Sequence, residues 1–147
     1  MASFAENSRA RFDYDILENF EAGLVLDGQE GKSVRRGSGS IKGSFVKILN
    51  NEAWLLGSVI PPYQPANAPK SYDSTRSRKL LLKRSELKYL IGKSHEQGLS
   101  LIPLKIFEKN GFLKLELAVA RGKKKYDKRE SIKKREAKRT IARAMKK

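Results

Sequence analysis

The sequence predicts a mainly β fold with flanking α-helices, followed by a strongly basic C-terminal tail. Two hairpin patterns carry the first part: residues 44–49 with 53–59 across Asn50-Asn51, and residues 99–107 with 112–119 across Asn110-Gly111. Charge carries the second. The stretch 121–147 holds 14 lysines and arginines against three acids (Asp127, Glu130, Glu136), so +11 of the chain's formal +16 sits there.

Taken in order, a first strand is expected over residues 12–26, where Phe12, Tyr14 and Ile16 alternate with aspartates and Leu24 and Leu26 restore the alternation. A short helix is expected over 28–36, weakened by Gly31, since glycine in a helix interior costs about 1 kcal/mol relative to alanine. Gly37-Ser38-Gly39-Ser40 reads as a flexible link. In the first hairpin, asparagines suit the positive φ angles of a tight turn. Four prolines among residues 61–69 argue against a helix or a central strand and predict a surface loop. Residues 85–97 read as a helix, with Ser85 as N-cap, Leu87, Leu90 and Ile91 at helical spacing, and Gly98 as the stop. The second hairpin turns through Asn-Gly, the strongest short hairpin signal, and Pro103 inside its first strand requires an edge or a bulge. Five or six antiparallel strands with two or three short helices point to a small OB-like barrel over 1–120, with 121–147 as a separate tail.

A polycationic tail seeks polyanions, because each phosphate it neutralises releases condensed counterions. Nucleic acid is favoured over an anionic membrane. A membrane-surface helix needs large apolar residues on its buried face, whereas this tail offers Ile132, Ile141, Met145 and alanines, with no tryptophan or phenylalanine. No apolar run approaches membrane-spanning length, and Met1-Ala2-Ser3-Phe4-Ala5-Glu6 lacks the regions of a signal peptide. A cytoplasmic monomer is expected. The sequence has no cysteine, which excludes disulfides, thiolate zinc sites and a cysteine nucleophile. His95, the sole histidine, reads as a solvated or packing residue, and Asp13 and Asp15 as the wet face of a strand. Without metal-ligand spacing or a glycine-rich phosphate loop, no enzyme activity, metal or cofactor is expected.

Binding residues stand out more clearly. Arg76, Arg78 and Lys79 follow the proline segment and lead into Leu80-Leu81-Leu82-Lys83-Arg84, and cations on a loop beside a sheet edge grip phosphates. Lys32, Arg35 and Arg36 would add to that patch if the short helix packs nearby. In the tail, Lys123, Lys124, Lys125, Lys128 and Arg129 surround Tyr126, an aromatic suited to stacking on an unpaired base. Ala137, Ile141, Ala144 and Met145 form an apolar stripe too thin for a stable isolated helix. The tail is therefore expected to be disordered alone and helical on RNA.

Three segments come in a telling order: Phe20-Glu21-Ala22-Gly23-Leu24 with Gly28, Glu30, Lys32, Ser33 and Arg35; Arg76-Ser77-Arg78-Lys79-Leu80-Leu81-Leu82; and Gly122-Lys123-Lys124 with Tyr126-Asp127-Lys128-Arg129. In them the chain resembles, over nearly its whole length, the small protein B family, the SsrA-binding proteins of bacterial trans-translation. The resemblance implies an OB-like partner of transfer-messenger RNA (tmRNA). Its body would grip the tRNA-like domain in place of a missing anticodon arm. Its tail would occupy the decoding centre of the small ribosomal subunit and the empty mRNA channel, so that the stalled peptide is tagged and the ribosome freed. By match, Glu21 and Leu81 lie on the RNA-facing body, and Lys83 stands where some members carry a polar amide. With Lys32, Arg35, Arg76, Arg78 and Lys79 they make up the expected body site. Lys123, Lys124, Asp127, Lys128 and Arg129 match the tail motif of the decoding region, and Tyr126 stands where many members have histidine or tyrosine. Lys133, Lys134, Arg135, Ile141 and Met145 extend the expected ribosome contact.

The chain departs from the family at Gly31 (valine), at Ser71-Tyr72-Asp73-Ser74 (Asn-His-Asp-Pro), at Phe12 (often histidine) and at Ala144-Met145 (a bulkier apolar pair). A structural ribosomal or ribosome-assembly protein would share the barrel and the basic tail; the ordered motif set separates the two readings.

Overall fold

The computed structural model describes residues 3–123. Among them, seven strands form one antiparallel sheet: β1 (Ser3–Glu6), β2 (Tyr14–Leu24), β3 (Phe45–Leu49), β4 (Glu52–Leu56), β5 (Arg78–Leu81), β6 (Leu99–Lys109) and β7 (Phe112–Gly122). The order β6-β3-β4-β5-β2-β7 closes because β7 returns to pair with β6, giving a six-stranded ring. β1 extends β6 beyond its one-residue contact with β3 at Val46↔Leu101. Closure removes most open strand edges. Three helices accompany the ring: α1 (Ala10–Asp13), α2 (Gly28–Arg35) and α3 (Arg84–Ser94). This is the expected OB-like barrel, filled by Leu55, Ile106, Leu115 and Leu117, all fully buried.

Both hairpins form where their turns direct. Asn50 and Asn51 have φ of 50° and 59°, Asn110 and Gly111 of 53° and 81°. Two consecutive positive angles give the turn whose twist matches paired strands. Pro103 marks a bulge rather than an edge: the β6–β7 register slips between Pro103 and Lys105, and Asn7 Nδ2 donates to the Pro103 carbonyl at 3.0 Å. The proline segment is mostly loop, but contains a 3₁₀ turn at Pro65–Asn67 that a helix-free reading does not anticipate.

Several expectations need correction. Residues 12 and 13 belong to α1 and not to the first strand. The Asp13 amide donates to the Arg9 carbonyl at 2.9 Å, Arg9 pairs with Asp13 at 3.6 Å and its guanidinium lies 4.8 Å from the Phe12 ring centroid, so local contacts override the alternation. β1 and β5 carry no strand signal that the sequence reading detects. α3 starts one residue before Ser85, with Lys83 at the N-cap and no side-chain cap, and ends at Ser94. Finally, β7 runs past residue 120: Arg121 pairs with Asp15, Gly122 with Tyr14, and the Lys123 amide donates to the Asp13 carbonyl at 2.9 Å. The body therefore includes residues 121–123.

Candidate nucleic-acid interface

The sequence-predicted body residues separate into three environments. Glu21, Leu81 and Lys83 converge. Glu21 lies on β2, Leu81 ends β5 and Lys83 caps α3, and all three line one open groove with Phe20, Lys109 and Lys114. The β2–β5 register places Gly23 opposite Leu81, and a Cβ on residue 23 would sit 3.3 Å from the Leu81 Cβ. Glycine is thus what lets Leu81 lie across the neighbouring strand, 55% exposed on the surface. Lys109 Nζ donates to Glu21 Oε2 at 3.0 Å, leaving the second carboxylate oxygen available. A carboxylate accepts from base amino groups and from ribose 2′-hydroxyls, lysines meet phosphates, and an exposed leucine covers a base. Lys109 and Lys114 escape a sequence reading because they reach the groove only through the β6–β7 hairpin; Lys109 sits beside the Asn-Gly turn, the one available clue.

Arg78 is displaced from the RNA-facing set. It points inward from β5 and is fully buried. Its Nε donates to Glu30 Oε2 at 2.8 Å, and its Nη atoms donate to the Ser58 hydroxyl at 2.9 Å, the Ser58 carbonyl at 3.2 Å and the Ser74 carbonyl at 3.1 Å. Four hydrogen bonds and an ion pair to Glu30 hold this fully buried guanidinium, so no phosphate reaches it. Arg76 turns the same way, with Nε on Glu30 Oε2 at 2.9 Å and a second bond from Nη2 to Oε1. Glu30 itself is fully buried and closes a capping box on α2: its amide donates to Asp27 Oδ1 at 2.8 Å, and the Asp27 amide donates to Glu30 Oε1 at 3.0 Å. Burial pushes the Glu30 carboxyl up, but the bonds from Arg76, the Asp27 backbone and Arg78 outweigh it and hold the group below its ordinary value. The box also explains why α2 runs through Gly31. Tyr72, a departure from the family pattern, joins this region by donating to the Ile60 carbonyl at 2.7 Å.

On the outer side of α2, Lys32 and Arg36 face the Tyr63 ring at 5.9 and 5.4 Å. Arg35 binds Glu108 and donates to the Gly111 carbonyl at 3.0 Å. Lys79 faces outward on β5 and pairs with Glu52 at 3.5 Å. Lys123 donates from Nζ to the Arg11 carbonyl at 3.0 Å. Lys124, Tyr126, Asp127, Lys128, Arg129, Lys133, Lys134, Arg135, Ile141 and Met145 lie outside the described residues. His95 is exposed at the C-cap of α3. Among the described residues, no group of three or more metal-ligating side chains could hold an ion, and no helix is long and apolar enough to cross a membrane.

A family model described as "SmpB protein" matches residues 4–147. The chain is 53% identical over 140 residues to the SsrA-binding protein of Geobacillus thermodenitrificans (strain NG80-2), covering 95% of this chain and 90% of that one. It is 48% identical over 142 residues to the SsrA-binding protein of Trichodesmium erythraeum (strain IMS101), covering 97% and 91%. Among solved structures it is similar to a chain from "tmRNA-SmpB: a journey to the center of the bacterial ribosome", with a TM-score of 0.66, 44% identity, and coverage of 86% of this chain and 92% of that one.

Proposed function

The chain belongs to the SmpB protein family, and from that premise we propose that it is an RNA-binding adaptor of trans-translation. Its body binds the tRNA-like domain of tmRNA and brings that RNA to stalled ribosomes. Its tail enters the decoding centre and mRNA channel of the small subunit, so that the stalled peptide is tagged and the ribosome released. It acts as a binder without catalysis, in the cytoplasm. The observation that carries the body's role is the groove in which Glu21 meets Leu81 and Lys83, residues about sixty apart in sequence. Three glutamates (Glu21, Glu86 and Glu116), an exposed leucine and three lysines suit a folded RNA surface better than a bare phosphate array. Lys79, two residues before Leu81 on the outer side of β5, adjoins that contact, whereas Lys32 lies by Tyr63 and Arg76 is held by Glu30.

Glu21 and Leu81 are exposed, so replacing either with alanine should leave the fold within about 0.5 kcal/mol. Each should nevertheless weaken binding of a transcribed tRNA-like domain by about tenfold or more, which corresponds to roughly 1.4 kcal/mol. Wild-type affinity in both variants would remove the groove from the RNA contact. For the tail, a chain ending at Lys123 keeps every rung of β7; it should bind the RNA and fail to tag. Tagging by that truncated chain would overturn the assignment of the tail.

A further inference from the structure

Outside the groove, one surface that the proposed contacts do not use is the outer face of β3, β4 and β5. The register fixes its rows. Lys47 on β3 faces Trp54 on β4, and Trp54 faces Lys79 on β5. One row away Phe45 faces Leu56, and in the other direction Leu49 faces Glu52. Phe45 is 47% exposed and Leu49 41%. A barrel strand alternates inward and outward residues, and here the inward positions Val46, Ala53, Leu55, Arg78 and Leu80 are all buried. The outward row is therefore a half-buried Trp54 ring with a lysine on either side, beside the exposed Phe45 and Leu49. Among the described residues, nothing accepts a hydrogen bond from the Trp54 indole and no cation lies over its ring.

The geometry points to a second RNA-binding surface, with Trp54 as the platform for an unpaired base and Lys47 and Lys79 as contacts for the phosphates on either side of it. Such a pairing of aromatic faces with a cationic track is how proteins hold single-stranded nucleic acid. Charge complementarity selects the occupant, since two lysines bracket the ring and the whole chain carries +16. Continuity selects which RNA. Lys79 and Leu81 are alternate outward residues of the same strand, so this face runs directly into the groove of Glu21, Leu81 and Lys83. The inference rests on the proposed binding of tmRNA, and it assigns Trp54 to an unpaired stretch of the same molecule. Glu52 opposes it: its carboxylate holds Lys79 at 3.5 Å and repels an approaching phosphate.

Trp54 is the only tryptophan in the chain, so its fluorescence reports this contact alone. The full chain is titrated with a transcribed tRNA-like domain, reading fluorescence and filter retention together. Saturable quenching of Trp54 is expected. Trp54→Leu, which keeps apolar packing without a flat face, should bind about 5- to 150-fold more weakly, and Trp54→Phe close to the parent. Lys47→Gln with Lys79→Gln should reduce the log–log salt slope by about 1.4, and Glu52→Gln should tighten binding. Unfolding melts verify that Trp54→Leu is folded; if it is not, the parent's quenching and the lysine slope decide. Filter retention with unquenched Trp54, or an unchanged slope in the lysine double variant, would overturn the second surface while leaving the groove in place. Absence of any RNA retention by the parent would overturn both.

Discussion

Replacing Glu30 with glutamine distinguishes a structural arginine pair from an RNA-binding one. The carboxylate is fully buried, accepts from Nε of both Arg76 and Arg78 at 2.9 and 2.8 Å, and forms an ion pair to Arg78 Nη2 at 2.7 Å. Glutamine preserves shape but removes the charge and turns an NH₂ donor toward two guanidinium groups. Removing one partner of a buried pair strands the other, at a cost of about 3–5 kcal/mol. For a body of this size that corresponds to a loss of roughly 10–20 °C in melting temperature. Arg78→Lys should be nearly as damaging, because an ammonium cannot reproduce a fork that reaches Glu30, Ser58 and Ser74 together. A phosphate contact makes the opposite prediction, since lysine meets phosphate as a point charge and the fold would be untouched. The assay is circular-dichroism melting of the chain ending at Lys123, with RNA affinity measured on the folded protein. If Glu30→Gln melts with the parent, or if Arg78→Met melts normally yet binds RNA with a shallower salt slope, the buried network is not what holds β5 to α2.

Three further outcomes follow from the same residues. The Glu30 carboxyl is depressed in the folded state below its ordinary value of 4.5, so the folded protein binds fewer protons than the unfolded chain there. Its stabilisation is complete above about pH 4.5 and is lost as pH falls toward the folded pKa; melting curves should drop on that side, and Glu30→Gln should flatten the drop. Gly23→Val should disturb the groove, because the new side chain starts 3.3 Å from the Leu81 Cβ, and RNA affinity should fall more than stability, as paired binding and melting measurements would reveal. In the tail, Tyr126→Ala should impair tagging on stalled ribosomes more than Tyr126→Phe, by a stacking contribution of about 1–3 kcal/mol, while binding to free tmRNA stays unchanged; equal tagging by the two variants would leave the tail acting by charge alone.

The parts of this fold that were legible in the sequence are those encoded within a few residues. Asn50-Asn51 and Asn110-Gly111 specify their own turns, and the apolar alternation beside them needs no distant partner. β5 was not legible because its inward residue at one end is Arg78, which looks like a surface cation until Glu30, 48 residues earlier, is placed against it. The capping signal Asp27-Gly28-Gln29-Glu30 was present in the sequence, but the same glutamate's second role in the interior was not. α1 is not legible because Phe12 and Asp13 fit a two-residue period as well as a helical turn. Of the candidate site, Glu21 and Leu81 carry no local chemical signal and stand out only through family resemblance. The pairing of Lys47, Trp54 and Lys79 depends on a register across three strands, which no single segment contains.

The ladder between β2 and β7 joins the two ends of the body to which the proposed function assigns work. At one end Glu21 faces Glu116 and Gly23 faces Lys114, all beside the groove; at the other, Tyr14 faces Gly122 and Lys123 is tied to Asp13 and Arg11. Seven steps of strand separate Glu21 from Tyr14, about 23 Å at the usual rise per residue. The proposed RNA contact and residue 123 are thus held at a set spacing by paired backbone, interrupted by one bulge between Ile16 and Glu18. A linker of the same length would let that spacing vary, and each binding event would then forfeit ordering entropy. A closed barrel removes that loss. It also accounts for the burial of Glu30 and Arg78: their bonds tie α2, with Lys32 and Arg35 on its surface, to β5, with Lys79 and Leu81 on its outer face. Charges that would serve as RNA contacts on an open loop instead hold the surfaces proposed to make the contact.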